Sequence, residues 1–118
     1  MRSTLAAGAA LAGTAVALGA FGAHALKTTL SVEALGWWQT AAQYQMWHGL
    51  ALLALAATGD ARLRRPAHLL AVGAILFSAS LYAMALTGAQ RLGAVTPVGG
   101  LLMIAGWALL FYRSITKN

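Results

Sequence analysis

The chain has no cysteine and only two acidic residues, Glu33 and Asp60, among its 118 positions. The first absence removes disulfides, thiolate nucleophiles and thiolate metal sites together. The second leaves a thin inventory for catalysis, since both carboxylates fall at the edges of apolar stretches and the serines have no visible base at suitable spacing. Only 8% of the residues are charged, against roughly a quarter in soluble domains. Proline occurs twice, as Pro66 and Pro97, each at the natural first-turn position of an apolar segment.

What is present is hydrophobic: 60% of the chain, more apolar surface than a soluble fold of one-domain length can hide. A hydrocarbon core about 30 Å thick needs roughly 20 apolar helical residues to cross it. Four segments meet that requirement, approximately 4–25, 38–58, 66–88 and 96–112. The expected fold is therefore all-α: a single polytopic membrane domain over residues 1–118, with four transmembrane helices in a bundle. The first segment resembles a signal peptide in having Arg2 before an apolar run that ends in Ala23, His24, Ala25. Its apolar run is about 22 residues, longer than the 7 to 15 of a signal h-region, so it is read as a helix. Ser31 is placed to cap the second helix, with Glu33 in its first turn favourable to the helix dipole.

The net charge of +6 does not point to nucleic acid, because the basic residues flank apolar runs instead of gathering on one polar face. They set orientation. Arg2, Arg62, Arg64, Arg65, Arg113 and Lys117 fall on one side, and Lys27 and Arg91 on the other. The positive-inside rule then puts both termini and the loop near 60 on the cytoplasmic side. Trp37 and Trp38 are expected as an interfacial anchor on the outer side and Tyr112 on the inner side.

Two groups of residues are candidates for a role. The first segment has 14 Ala or Gly among its 22 positions from Thr4 to Ala25; lipid provides no hydrophobic drive between helices, so small residues permit the close approach that holds them. Gly13 and Gly19, and Gly99 with Gly106 on the fourth segment, are the expected packing positions, within the chain or at a homo-oligomer seam. The second group is polar. Gln39, Gln43, Gln45 and His48 concentrate on the second segment, with His48 near mid-bilayer, where ionisable side chains commonly mark function. Tyr44, Ser78, Tyr82 and, near the outer boundary, His24 complete a candidate polar pocket, open to the outside above a closed apolar cytoplasmic half. The functional reading of His48 is a proton-accepting or ligand-binding group; the plain one is a neutral histidine bonded to Ser78, Tyr82 or a carbonyl. No metal site is expected, because His24 and His48 are about 15 Å apart in depth at 1.5 Å per residue.

Four stretches carry a family resemblance: GAFGAHALK from Gly19, WQTAAQYQMWHGLALL from Trp38, LFSASLYAMALTG from Leu76 and LGAVTPVGGLLMIAGW from Leu92. They resemble domain-of-unknown-function family 423, small bacterial inner-membrane proteins whose eukaryotic relatives are called transmembrane protein 256. Ala79, Val98 and Gly49 depart slightly from its pattern. The resemblance implies four membrane helices with both ends inside, and no reaction; its motifs match His24, Lys27, Gln39, Tyr44, Gln45, His48, Ser78, Tyr82, Thr96 and Pro97. The leading expectation is a non-enzymatic protein without cofactor that packs with membrane lipid, with itself as a homo-oligomer or with a larger membrane complex. The alternative is a small transporter or channel using the pocket around His48.

Overall fold

The computed structural model describes residues 1–116; Lys117 and Asn118 lie outside the described residues. Four long helices follow one another: α1 (Arg2–His24), α2 (Val32–Thr58), α3 (Arg64–Thr87) and α4 (Thr96–Ile115). Each boundary has a local cause. The Ser31 hydroxyl accepts the Ala34 N–H at 3.0 Å and starts α2. Gly59 and Gly88 end α2 and α3 in the left-handed region, at φ 66° and 71°, which a side chain would make costly. Pro66 sits in the first turn of α3 and Pro97 in that of α4, where their missing N–H groups have no intrahelical partner to lose. The two later connections are themselves wound as 3-10 turns, Ala61–Leu63 and Gln90–Ala94.

The helices pack in chain order, α1 on α2, α2 on α3 and α3 on α4, while α1 touches α3 only lightly. The middle helices are therefore the buried ones. α1 buries only Thr4, Gly8, Ala15 and Gly22, and α4 only Gly99, Met103 and Gly106. The outer faces of α1 and α4 are left apolar and exposed, with Val16, Leu101, Ile104 and Phe111 among the uncovered side chains.

Glycines set how close the pairs come. A methyl group at Gly8 would lie 2.8 Å from the Gly49 carbonyl oxygen, and one at Gly99 would lie 2.5 Å from the Phe77 backbone nitrogen. Both neighbours are backbone and cannot move aside, so only glycine allows these crossings. Gly22 gives its space to the Trp38 indole, and Gly106 to Leu70. The expected packing positions are thereby revised on α1: a methyl at Gly13 meets nothing, and one at Gly19 only just reaches Ala42 at 3.9 Å. The buried α1 stripe runs through Gly8, Ala15 and Gly22, seven apart, which is the repeat that keeps one face of a helix against a neighbour over several turns. Trp38 is also revised, because it is 4% exposed and packs inward against Phe21 and Tyr82 instead of anchoring at an interface.

Three helices among the described residues are long and apolar enough to cross a membrane: α1, α3 with its preceding turn, and α4 with its preceding turn. α2 has the length, 27 residues, but its glutamines, histidine and aromatic side chains lower its hydropathy. Of these, Trp38, Gln45 and His48 are buried against neighbouring helices.

Candidate functional site

The buried face of α2 reads Ala34, Trp38, Ala41, Gln45, His48, Gly49, Leu52 and Leu55. Every polar group on this face has a partner. The Gln45 amide donates to the Leu11 carbonyl at 2.9 Å and to the Thr14 hydroxyl at 2.5 Å, and its oxygen accepts the Tyr82 hydroxyl at 2.8 Å. One side chain on α2 thus ties α1 to α3. The Trp38 indole N–H donates to the Leu18 carbonyl at 2.7 Å. Ser78 donates to the Ala41 carbonyl at 2.8 Å. These carbonyls belong to helical turns and accept through a second lone pair. Among the described residues, no buried side-chain nitrogen or oxygen lacks a partner.

His48 turns another way. It follows Gln45 by three residues, so the two side chains point about 60° apart around the helix. The His48 Nδ1 lies 2.8 Å from the Tyr44 carbonyl, and its Nε2 accepts the Trp107 indole N–H from α4 at 3.1 Å. A carbonyl only accepts and an indole only donates. The two partners therefore fix a neutral ring with its hydrogen on Nδ1; a second proton on Nε2 would face the Trp107 N–H. Tyr44 stacks near this ring with centroids 6.1 Å apart, and packs on Phe77 at 4.6 Å.

The polar residues of the sequence therefore fall into two clusters at the two edges of the buried face of α2, one toward α1 and α3 and the other toward α4. Gln45, Tyr82 and Thr14 form one; His48, Tyr44 and Trp107 form the other. Ser78 bonds to α2 backbone, and neither it nor Tyr82 reaches His48. Gln39 and Gln43, four apart, share the exposed face of α2, and His24 is exposed at the end of α1. This revises the single pocket: His24, Gln39 and Gln43 are outside it. A recess of about 130 Å³ does exist beside Gln45, Ser78 and Tyr82, lined otherwise by Leu11, Ala74, Ile75 and Ala79. The other half of the molecule is not closed, since a larger recess of about 230 Å³ opens there between α1 and α3. Sequence reasoning missed Trp107, Thr14 and the inward role of Trp38. No spacing signals these partners, because they meet α2 only through the fold.

Comparison with known proteins agrees with a membrane setting. The family model described as protein of unknown function (DUF423) matches residues 18–100. The UPF0382 membrane protein of Staphylococcus saprophyticus is 46% identical over 106 residues, covering 87% of this chain and 88% of the relative. The UPF0382 inner membrane protein YgdD of Escherichia coli K12 is 45% identical over 104 residues, covering 85% of this chain and 79% of the relative. No solved structure matches. With helices apolar enough to cross a bilayer and relatives named as membrane proteins over most of its length, the chain belongs to the DUF423 family of membrane proteins.

Proposed function

We propose that this chain crosses the inner membrane four times, with its arginine-rich end in the cytoplasm, and acts without enzymatic chemistry as a lipid-binding or partner-binding membrane protein. The observation that carries the reading is the pairing of Gln45, Trp38 and Ser78 with neighbouring helices. Groups engaged in holding helices together are not free for a substrate. The charge bias supports the orientation, and the exposed apolar faces of α1 and α4 are suited to lipid or to another membrane protein. Single cysteines at Thr29 or Ala89 should react with an impermeant thiol reagent from outside, and one at Ala61 should not; the reverse pattern overturns the orientation. Purification in mild detergent should retain lipid or a defined protein. Recovery only as a bare monomer counts against the binding role.

The recess beside Gln45, Ser78 and Tyr82 favours a second reading, a small transporter or channel. Proton-coupled flux in proteoliposomes, lost in a Tyr82→Phe variant that still folds, would establish it in place of the first.

A further inference from the structure

The arginines at one end of the molecule are not equivalent. Arg62 pairs with Asp60 at 3.1 Å, the one ion pair among the described residues, and Arg113 donates to the Arg62 carbonyl. Arg64 and Arg65 have no described carboxylate partner. On α3, Arg64 precedes Ala67, His68 and Ala71 by three, four and seven residues, so all four share a face. Ala67, His68 and Ala71 form one wall of the larger recess, Ser3 and Ala7 of α1 form the other, and Leu52 of α2 is its floor.

This opening has a physical origin. α1 and α3 each pack on α2 but hardly on one another, and alanines along both leave a furrow over α2. One turn further along α3, the smaller recess continues the line and ends at Gln45 and Tyr82. From Ala67 to Tyr82 the furrow runs about 22 Å at 1.5 Å per residue, more than the roughly 15 Å depth of one leaflet's hydrocarbon. Beside its mouth stand Arg64 and Arg65, without a carboxylate partner among the described residues, and the Ser3 hydroxyl lines it; the stretch between the polar ends is mostly alanine, leucine and isoleucine. An anionic group at one end of a long apolar chain matches both features, which neither free phosphate nor a neutral helix does.

We infer that the furrow between α1 and α3 holds one anionic phospholipid, its phosphate against Arg64, Arg65 and Ser3 and one acyl chain along the alanines. The inference deepens the lipid-binding reading above and rests on it. Native mass spectrometry of the protein in mild detergent, with phosphatidylglycerol and phosphatidylcholine of identical chains, tests it. Phosphatidylglycerol should be retained about tenfold more than phosphatidylcholine, the size expected from one to two basic residues near a phosphate. An R64A/R65A variant should bring the two lipids to parity. R64K/R65K and R91A, the last at the opposite end, should keep the preference and show that the variants fold. Ala71→Leu, which fills the furrow and leaves the arginines in place, should lower retention of both lipids.

Parity of the two lipids in the wild-type protein, or an undiminished preference in R64A/R65A, overturns the inference. So does displacement of the lipid by soluble glycerol phosphate, or by a second copy of the chain. The lipid-binding part of the broader reading fails differently: in that case no form of the protein retains either lipid.

Discussion

In the α1–α2 hairpin the chains cross at Gly8 and Gly49, and in the α3–α4 hairpin at Gly73 and Gly99; in both, added methyl groups would fall within 2.8 Å of opposing backbone. Beyond that shared contact the two are fastened differently. α1 is nearly all small residues, so long side chains of α2 reach its carbonyls: Trp38 to Leu18 and Gln45 to Leu11. Between α3 and α4 the filling is by Leu70, Phe77 and Met103 around the glycines. The side-chain hydrogen bond joining these two helices, Ser80 to Thr96 at 2.6 Å, sits at one end. A helix with almost no side chains of its own depends on its partner's polar groups for register, whereas a helix with bulky neighbours is held by shape. This follows from the solvent, because lipid gives no reward for apolar contact itself and leaves packing and hydrogen bonds to decide.

The largest expected effect tests the shared part of that comparison. Gly49→Ala and Gly99→Ala should each lower stability by about 2–3 kcal/mol, the upper range for overpacking against rigid neighbours. Gly13→Ala should leave stability unchanged or raise it by about 0.5–1 kcal/mol, the helix preference of alanine over glycine. Thermal unfolding in detergent measures all three, and equal midpoints for Gly49→Ala and wild type would remove the close crossing.

A second experiment sharpens the difference between the hairpins. Gln45→Leu breaks three bonds and should cost about 1–2 kcal/mol, while Ser80→Ala should cost about 0.6 kcal/mol, the mean for one interhelical hydrogen bond in a membrane. A double-mutant cycle of Gln45 with Tyr82 should show coupling, and additivity would place them apart. Trp107→Phe removes the donor to His48 and should cost a similar ~0.6 kcal/mol. Nitrogen NMR of the histidine side chains checks the same bond, since the wild-type His48 should carry its hydrogen on Nδ1 and a hydrogen on Nε2 excludes the Trp107 contact.

The smallest effect lies in the connection between the hairpins. Hydrogen bonds from the Arg62 side chain and then its backbone hold the Asp60 carboxyl below its ordinary value. A depressed carboxylate contributes stability above its unfolded pKa, about 4, and that contribution fades as pH falls through the lower folded value. Asp60 and Arg62 lie at the surface with a third or more of each side chain open to solvent, so the pair is weak, and Asp60→Asn should leave the unfolding midpoint at pH 7 within error and flatten only the acid limb of the stability curve. A clear loss at pH 7 would mean that this turn helps to join the hairpins.

Much of the fold was legible because its determinants are local. Ser31 as a cap, the prolines in the first turns of α3 and α4 and the long apolar stretches are each decided within a few residues of chain. The placement of Gln39 and Gln43 was not, because their chemistry equals that of Gln45 and only the direction in which α2 faces its neighbours separates them. Gly13 and Gly8 differ in the same way: both are helical glycines on α1, and one meets Gly49 while the other meets nothing.

The sequence by itself determined that this is a helical membrane protein with an asymmetric charge distribution, since apolar length and the position of arginines do not depend on which helix touches which. Tertiary structure alone decided that Gln45 faces α1 and α3, that His48 meets Trp107 and that Trp38 points inward. The physical reason is that each of these bonds joins residues 20 to 59 positions apart, and a side chain's partner at that separation is set by how whole helices cross.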